Sequence, residues 1–328
     1  MSDDQHPYAR LTPDTVLDAV ESLGFYSDAR ILPLNSYENR VYQVGLEGGT
    51  PIIAKFYRPE RWSREQILEE HHFALELAAL EIPMVAPLQD ADGKTLHQYQ
   101  DFLFAIYPRK GGHAPELDNF DHLLVIGRLL GRLHNCGREQ NFTQRPSFNL
   151  YDFAQEPQRF LLDNGFIPPG LTEAYQTLTD DLIRETERIW QGVDCQAIRL
   201  HGDCHPGNIL WRDESAFFVD LDDARMGPAI QDLWMLLSGE RQQRVAQLSE
   251  VLEGYQQFAN FNFAEINLIE TLRTWRIMHY AAWLARRWQD PAFPHNFPWF
   301  NTERYWAEHI LELREQLAAL QEPPLALF

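Results

Sequence analysis

Cysteine is scarce in this chain, and its scarcity sets the first limits. Cys136, Cys195 and Cys204 are scattered and odd in number, so neither a disulfide framework nor a four-ligand zinc site can be assembled from them. Such usage suits a reducing cytoplasm. No apolar run reaches the roughly 20 residues that a bilayer span requires, since even the greasiest C-terminal stretch is broken by Arg286 and Arg287. No membrane partner is expected. A secretory leader is not indicated either, because Met1-Ser2-Asp3-Asp4-Gln5-His6 is polar and acidic where a leader needs a basic start and an apolar core. Positive charge is also short: 28 Lys and Arg stand against 48 Asp and Glu, a net charge of −20. That balance repels a phosphate backbone and argues against a nucleic-acid partner, although a single nucleotide can still bind locally.

What the chain does have is the composition of a soluble globular protein, 45% hydrophobic and 23% charged over 328 residues, enough for two domains each with its own core. Thr12-Pro13 opens a helical pattern that Gly24 closes. Val41–Val44 and Ile52–Tyr57 are β-rich runs around a Gly48-Gly49 turn and predict a hairpin. Ser63 and Gln66 form a capping box for a helix to about Leu80. Leu103–Tyr107 is a further strand, and Pro108 through Gly112 reads as a hinge. Beyond it, helical spacing recurs from Asp121 to His134 and around 171–190, 230–238, 243–258 and 265–288. The expected organisation is a small β-rich lobe over residues 1–107, a hinge at 108–112, and a mainly helical lobe over 113–328.

Chemistry collects in the strand-like interruption from Ile198 to Asp223. Ile209–Trp211 and Ala216–Val219 flank the turn cluster Arg212-Asp213-Glu214-Ser215. A hairpin centred on Glu214 sets Asn208 opposite Asp220, so that an amide oxygen and a carboxylate reach one hard cation such as Mg²⁺. Asp203 precedes Asn208 in a short loop turned by Pro206-Gly207. This is the spacing of the kinase catalytic loop, in which an Asp receives the acceptor hydroxyl's proton and an Asn binds metal. A phosphotransferase also needs a strand lysine for the ATP phosphates and a helix glutamate to hold it. Lys55 ends Ile53-Ala54-Lys55, and Glu70 shares a helix face with Ile67, Ala74 and Leu77, which favours it over Glu69.

Together, His-Gly-Asp-x-x-x-x-Asn at 201–208, the hydrophobic-Asp-x-Asp segment at 219–222 and Gly-x-Leu-x-x-Leu-His at 127–134 resemble the aminoglycoside phosphotransferase and choline kinase group of kinase-like enzymes, over roughly residues 30 to 240. The resemblance implies an α+β, two-lobed protein-kinase-like fold using ATP and Mg²⁺. Details at 34–40, at 55–62 and in the aromatic-rich 283–299 are similar to a serine/threonine protein kinase of that group. They imply a cytoplasmic enzyme of stress survival with a protein Ser/Thr acceptor, and a monomer is expected. In that picture Asp203 and Asp220 are catalytic, Asn208 and Asp220 hold the metal, and Ser36, Lys55, Glu70 and Ile106 contact ATP, the adenine lying against Ile106-Tyr107.

Two departures stand out. The loop at 34–40 has no glycine with which to cradle phosphates, and His-Gly-Asp lacks the arginine that receives a phosphorylated activation loop. Rival readings are a kinase for small hydroxyl substrates, a non-catalytic pseudokinase, and a metallohydrolase built on His201, Asp203 and His205. Locally, Lys55 can also be read as an edge-strand charge, Glu70 as a surface partner, Ser36 as a turn residue, His134 as a satisfied buried histidine and Asp232 as a helix cap or a brace for the catalytic loop. The proline-interrupted stretch 290–299 is expected to be non-helical, with Phe297 and Trp299 as candidate walls of the acceptor cleft.

Overall fold

The threonine and proline at 12 and 13 act as expected: the Thr12 hydroxyl accepts the N–H of Thr15, and Pro13 fills the first helical turn, where a missing N–H costs nothing. A computed structural model describes residues 6–327, so Met1 to Gln5 of the polar N-terminal stretch lie outside it. Helix α1 (Pro13–Glu21) is followed by strands β1 (Ser27–Pro33), β2 (Arg40–Leu46) and β3 (Ile52–Phe56), helix α2 (Arg64–Ala79), and strands β4 (His97–Tyr99) and β5 (Phe102–Pro108). The strands form one antiparallel sheet in the order β1-β2-β3-β5-β4. Its two edge strands escape a reading of hydrophobic alternation, because β1 is mostly exposed and β4 spans only 3 residues.

Period-two alternation sorts the sheet's faces. Ala54, Phe56, Phe104 and Ile106 pack with Val16, Ala19 and Val20 of α1. Ile53, Lys55 and Tyr107 turn to the other face, where α2 lies. That helix starts with the expected capping box, Ser63 accepting from Gln66 N and the Gln66 side chain from Ser63 N.

After β5 the chain becomes helical. Helix α3 (Phe120–Glu139) crosses α7 (Arg241–Tyr255) closely enough that a methyl group at Gly127 or Gly254 would collide with the carbonyls of Val251 and Leu124. Helices α4 (Glu156–Asp163), α5 (Thr172–Gln191), α8 (Ile269–Arg286) and α10 (Glu303–Ala319) enclose a core with Tyr175, Trp275 and Trp306 fully buried. The 230–238 pattern shortens to α6 (Ile230–Trp234). Residues 290–299 correct the sequence reading, for α9 (Ala292–Asn296) is a short helix. Its Pro294 sits in the first turn, where no N–H is needed.

Strand β6 (Ile198–Leu200) pairs with β9 (Arg225–Gly227), and β7 (Ile209–Arg212) with β8 (Ser215–Phe218). The second pair corrects the predicted register. Arg212 faces Ser215 across a turn of Asp213 and Glu214, whose φ values of 51° and 56° are those of a tight type I′ connection. The hairpin centre therefore falls between Asp213 and Glu214, and Asn208 lies opposite Val219, whose N–H it accepts at 3.0 Å; Asp220 is one step beyond. Because Glu is strained at positive φ, Glu214→Gly is expected to stabilise the protein by about 0.5–1 kcal/mol, read as a higher urea midpoint with an unchanged slope.

Candidate active site

A cleft of about 670 Å³ opens between the α2 face of the sheet and the β7–β8 hairpin. Lys55, Asp203, Asn208 and Asp220, drawn from separate parts of the sequence, all line it, as do Ser36 and Glu70. Ile106 does not. It is 1% exposed and packed under α1, one residue out of phase with the cleft face, which Ile53 and Tyr107 line instead.

Lys55 is buried among carboxylates. Its Nζ lies 2.8 Å from Asp220 Oδ1, 3.3 Å from Asp222 Oδ1 and 3.8 Å from Glu70 Oε1. Burial disfavours its charge, but Asp220, Asp222 and Glu70 outweigh burial and hold its pKa well above the ordinary lysine value. Glu69 is committed elsewhere, accepting the backbone N–H groups of Thr143, Gln144 and Arg145, so Glu70 is the helix carboxylate that faces the lysine. Burial raises the Glu70 pKa to about 7 against the pull of Lys55 and Arg145. The two shifts are compatible because Lys55 has nearer partners in Asp220 and Asp222, while Glu70 Oε2 has no hydrogen-bond partner among the described residues.

Past Asp220 the chain is pinned by arginines that no local spacing announces. Arg61 pairs with both Asp222 and Asp223, and with Lys55 it keeps the buried Asp222 below the usual carboxylate range despite desolvation. Arg145 donates to the carbonyls of Leu221 at 3.1 Å and Ala224 at 2.9 Å, and to that of Asp222. Residues 221–224 thus form a braced turn leading straight into β9.

The loop carrying Asp203 is held from beneath. Asp232 accepts the N–H groups of His201 and Gly202, each at 2.8 Å, and contacts His134 Nε2 at 3.0 Å. Asp232 does not cap α6, whose N-cap is Ala229; it is the brace. The other His134 nitrogen meets the Tyr255 hydroxyl at 3.0 Å, which leaves that histidine satisfied and buried. Gly202 has a φ of 88°, and a Cβ there would strike the Asp223 carbonyl, so no arginine fits between His201 and Asp203 without strain. His201 Nε2 lies 2.9 Å from the Val219 carbonyl, and His205 Nδ1 accepts the Gly207 N–H at 3.0 Å; both histidines shape the loop. Asn208 Nδ2 donates to the Asp203 carbonyl at 3.0 Å, and its Oδ1 has no protein donor among the described residues. That oxygen and the half-exposed carboxylate of Asp220, itself at a φ of 62°, make an all-oxygen donor set of the kind a hard divalent cation takes.

On the helical side of the cleft, where the sequence reading expects the acceptor, one face of α8 supplies Leu272, Arg276, His279, Tyr280 and Trp283. Phe297 joins this wall, whereas Trp299 stays outside it and exposed. The carboxylates here are all paired: Asp203 with Arg276, Asp223 with Arg61 and Arg225, and Glu38 with Arg58 and Arg287. Sequence reasoning missed every one of these arginines; apart from Arg225, two residues from Asp223, their partners are distant in the chain.

Residues 30–269 match the phosphotransferase enzyme family. Stress response kinase A of Escherichia coli strain K12 is 49% identical to this chain over 327 residues, covering 100% of the chain and 99% of the relative. The serine/threonine protein kinase RdoA of Salmonella typhimurium strain LT2 is also 49% identical, with the same coverage. Among solved structures, an amicoumacin kinase, hAmiN, in complex with AMP-PNP, Ca²⁺ and Ami superposes with a TM-score of 0.71 at 19% identity, over 94% of this chain and 93% of that one. A microcompartment-associated aminopropanol kinase follows at 0.69 and 18%, over 95% and 99%. The expected α+β, two-lobed protein-kinase-like fold is the fold these enzymes share with the chain. Among the described residues no helix is long and apolar enough to cross a membrane.

The Glu70 environment makes a prediction about pH. Since its folded pKa, about 7, exceeds the unfolded value, the folded state holds the extra proton between roughly pH 4.5 and 7, and stability falls as pH rises through that window. The change is on the order of 3 kcal/mol. Glu70→Gln is expected to flatten that slope in thermal melts of the nucleotide-free protein, relative to the parent. Parallel melting curves across the window would contradict the assignment.

Proposed function

This chain belongs to the phosphotransferase enzyme family, and on that premise we propose that it is an ATP- and Mg²⁺-dependent serine/threonine protein kinase of stress response, a cytoplasmic monomer. Full-length similarity to relatives named stress response kinase A and serine/threonine protein kinase RdoA supports this reading. The observation that carries it is the convergence of Lys55, Asp203, Asn208 and Asp220 on one cleft. A neighbour solved with AMP-PNP and Ca²⁺ supports the use of a nucleotide and a divalent cation.

In this reading ATP lies between a sheet lobe (1–107) and a helical lobe (113–328) joined by a hinge at 108–112. The adenine lies against Ile53 and Tyr107, with Ser36 toward the phosphates. Lys55 binds phosphate oxygens, and Glu70 with the Asp222 side chain keeps its ammonium in place. Asn208 and Asp220 would hold Mg²⁺, which supplies charge neutralisation on the phosphates. Asp203 orients the acceptor hydroxyl and takes its proton. Most of the acceleration then comes from positioning in a partly enclosed cleft. The short braced turn at 221–224 leaves no activation loop to order, so activity needs no phosphorylation there.

Neighbours acting on small hydroxyl compounds keep a small-molecule acceptor as the second reading. The arginines paired with the acceptor-side carboxylates reduce the negative charge that a cationic acceptor would meet and so weigh against one.

Labelled ATP offered with a generic protein acceptor, and separately with a panel of amino alcohols and aminosugars, is expected to label the protein. Label appearing only in the small molecules would reverse the order of the two readings. Asp203→Ala should cut transfer at least about 100-fold while leaving ATP binding nearly intact, and Asp220→Ala should lose Mg²⁺-dependent nucleotide binding and turnover together. A phosphatase-treated preparation is expected to retain full ATP turnover.

A further inference from the structure

The cleft's arginines are not alike. Arg61 and Arg225 have side chains only 14% and 10% exposed and are spent on Asp222 and Asp223. Arg276 is 47% exposed, reaching from α8 to the Asp203 carboxylate with Nη1 2.5 Å from Oδ1. That is the one hydrogen bond its guanidinium makes among the described residues, so the rest of its five N–H donors are available to a ligand. The second Asp203 oxygen faces His205 Nε2 at 3.5 Å. The cleft's two lysines are placed differently: Lys55 is enclosed by carboxylates, and the exposed Lys110 lies over the Phe217 ring with Nζ 3.5 Å from its centroid.

An acceptor hydroxyl that binds Asp203 competes with Arg276 for the same carboxylate. Ion pairs in so open a setting are weak and readily exchanged, and a displaced guanidinium offers a planar fork of donors matched to phosphate oxygens. We propose that Arg276 is a further catalytic residue, which leaves Asp203 when the acceptor arrives and turns to the phosphoryl group in transit. The inference rests on the reading of Asp203 as the group that receives the acceptor hydroxyl. In the step, the bond between the γ-phosphorus and the β–γ bridging oxygen breaks, with its electron pair leaving on ADP. The acceptor oxygen bonds to that phosphorus, and its proton passes to the Asp203 carboxylate. Negative charge on the equatorial phosphoryl oxygens is what Arg276 meets.

The test needs no acceptor. Parent, Arg276→Lys and Arg276→Met proteins are titrated with ADP and Mg²⁺, with and without aluminium fluoride, an anionic mimic of the phosphoryl group in transit. The parent is expected to bind ADP at least about tenfold tighter with the fluoride. Arg276→Met should keep the parent's affinity for ADP alone within about twofold and lose most of the fluoride gain, with Arg276→Lys keeping part. In turnover, Arg276→Met should lower kcat by about 100-fold or more with little change in KM for ATP, and added guanidinium should restore part of that loss but none of the loss in Asp203→Ala. An equal fluoride gain in parent and Arg276→Met overturns the proposal. So does a parent with no gain, or a loss of ADP affinity in step with the gain, which marks a structural role. A parent that shows the gain yet labels no protein acceptor counts against the protein-kinase reading alone and leaves the assignment of Arg276 supported.

Discussion

A lysine ammonium sits beneath the sheet with three carboxylates within 4 Å, and those carboxylates come from three places: Glu70 on α2, Asp220 after the hairpin, and Asp222 in the braced turn. An ion so buried is tolerable only when paired, and removing one partner of such a pair costs about 3–5 kcal/mol. The sheet, α2 and the segment after β8 are therefore obliged to meet at this point. Asp220 reaches it from a backbone of positive φ, which places its carboxylate toward the lysine and the cleft at once. The excess of negative charge around Lys55 is what a divalent cation at Asp220 would offset.

A second set of ion pairs ties the sheet to the far end of the chain. Asp290, 2% exposed, accepts from both Arg40 and Arg58, and Glu38 is met by Arg58, Arg287 and the indole N–H of Trp283. Tyr37 packs edge-on against Phe297, ring centroids 4.8 Å apart. The loop at 34–40 thus has its shape imposed by partners from α8 onward. A glycine-rich loop reaches phosphates through conformational freedom; this one is held by charge and aromatic contacts instead.

Local chemistry was legible where it acts over a few residues. The Ser63–Gln66 capping box, the Thr12-Pro13 start and the long periodic helices follow from hydrogen-bonding and hydrophobic rules confined to one or two turns. The hairpin at 209–218 was legible as a hairpin but not in register: whether a turn holds two residues or three depends on backbone torsions, and sequence composition admits both. Ile106 failed similarly. Alternation says that neighbouring strand residues face opposite ways, but which set faces the cleft depends on where α1 and α2 pack. Pro294 was read as a helix breaker because the rule applies to helix interiors, and α9 begins too late for it to apply.

The sequence by itself determined the cluster of chemistry at 201–223, the strand lysine upstream, and the family to which both belong, because those signals rest on short spacings and side-chain types. Only the tertiary structure decided that Glu70 and not Glu69 meets Lys55, that Asp232 braces the loop, that Arg61 and Arg276 pair with acidic groups of the cleft, and that Arg145 holds the carbonyls of the turn at 221–224. Each of these is a contact between residues distant in the chain. An arginine's long side chain can pair with a carboxylate anywhere within its reach, so its partner is fixed by where the packed elements bring the two together and leaves no trace in local pattern.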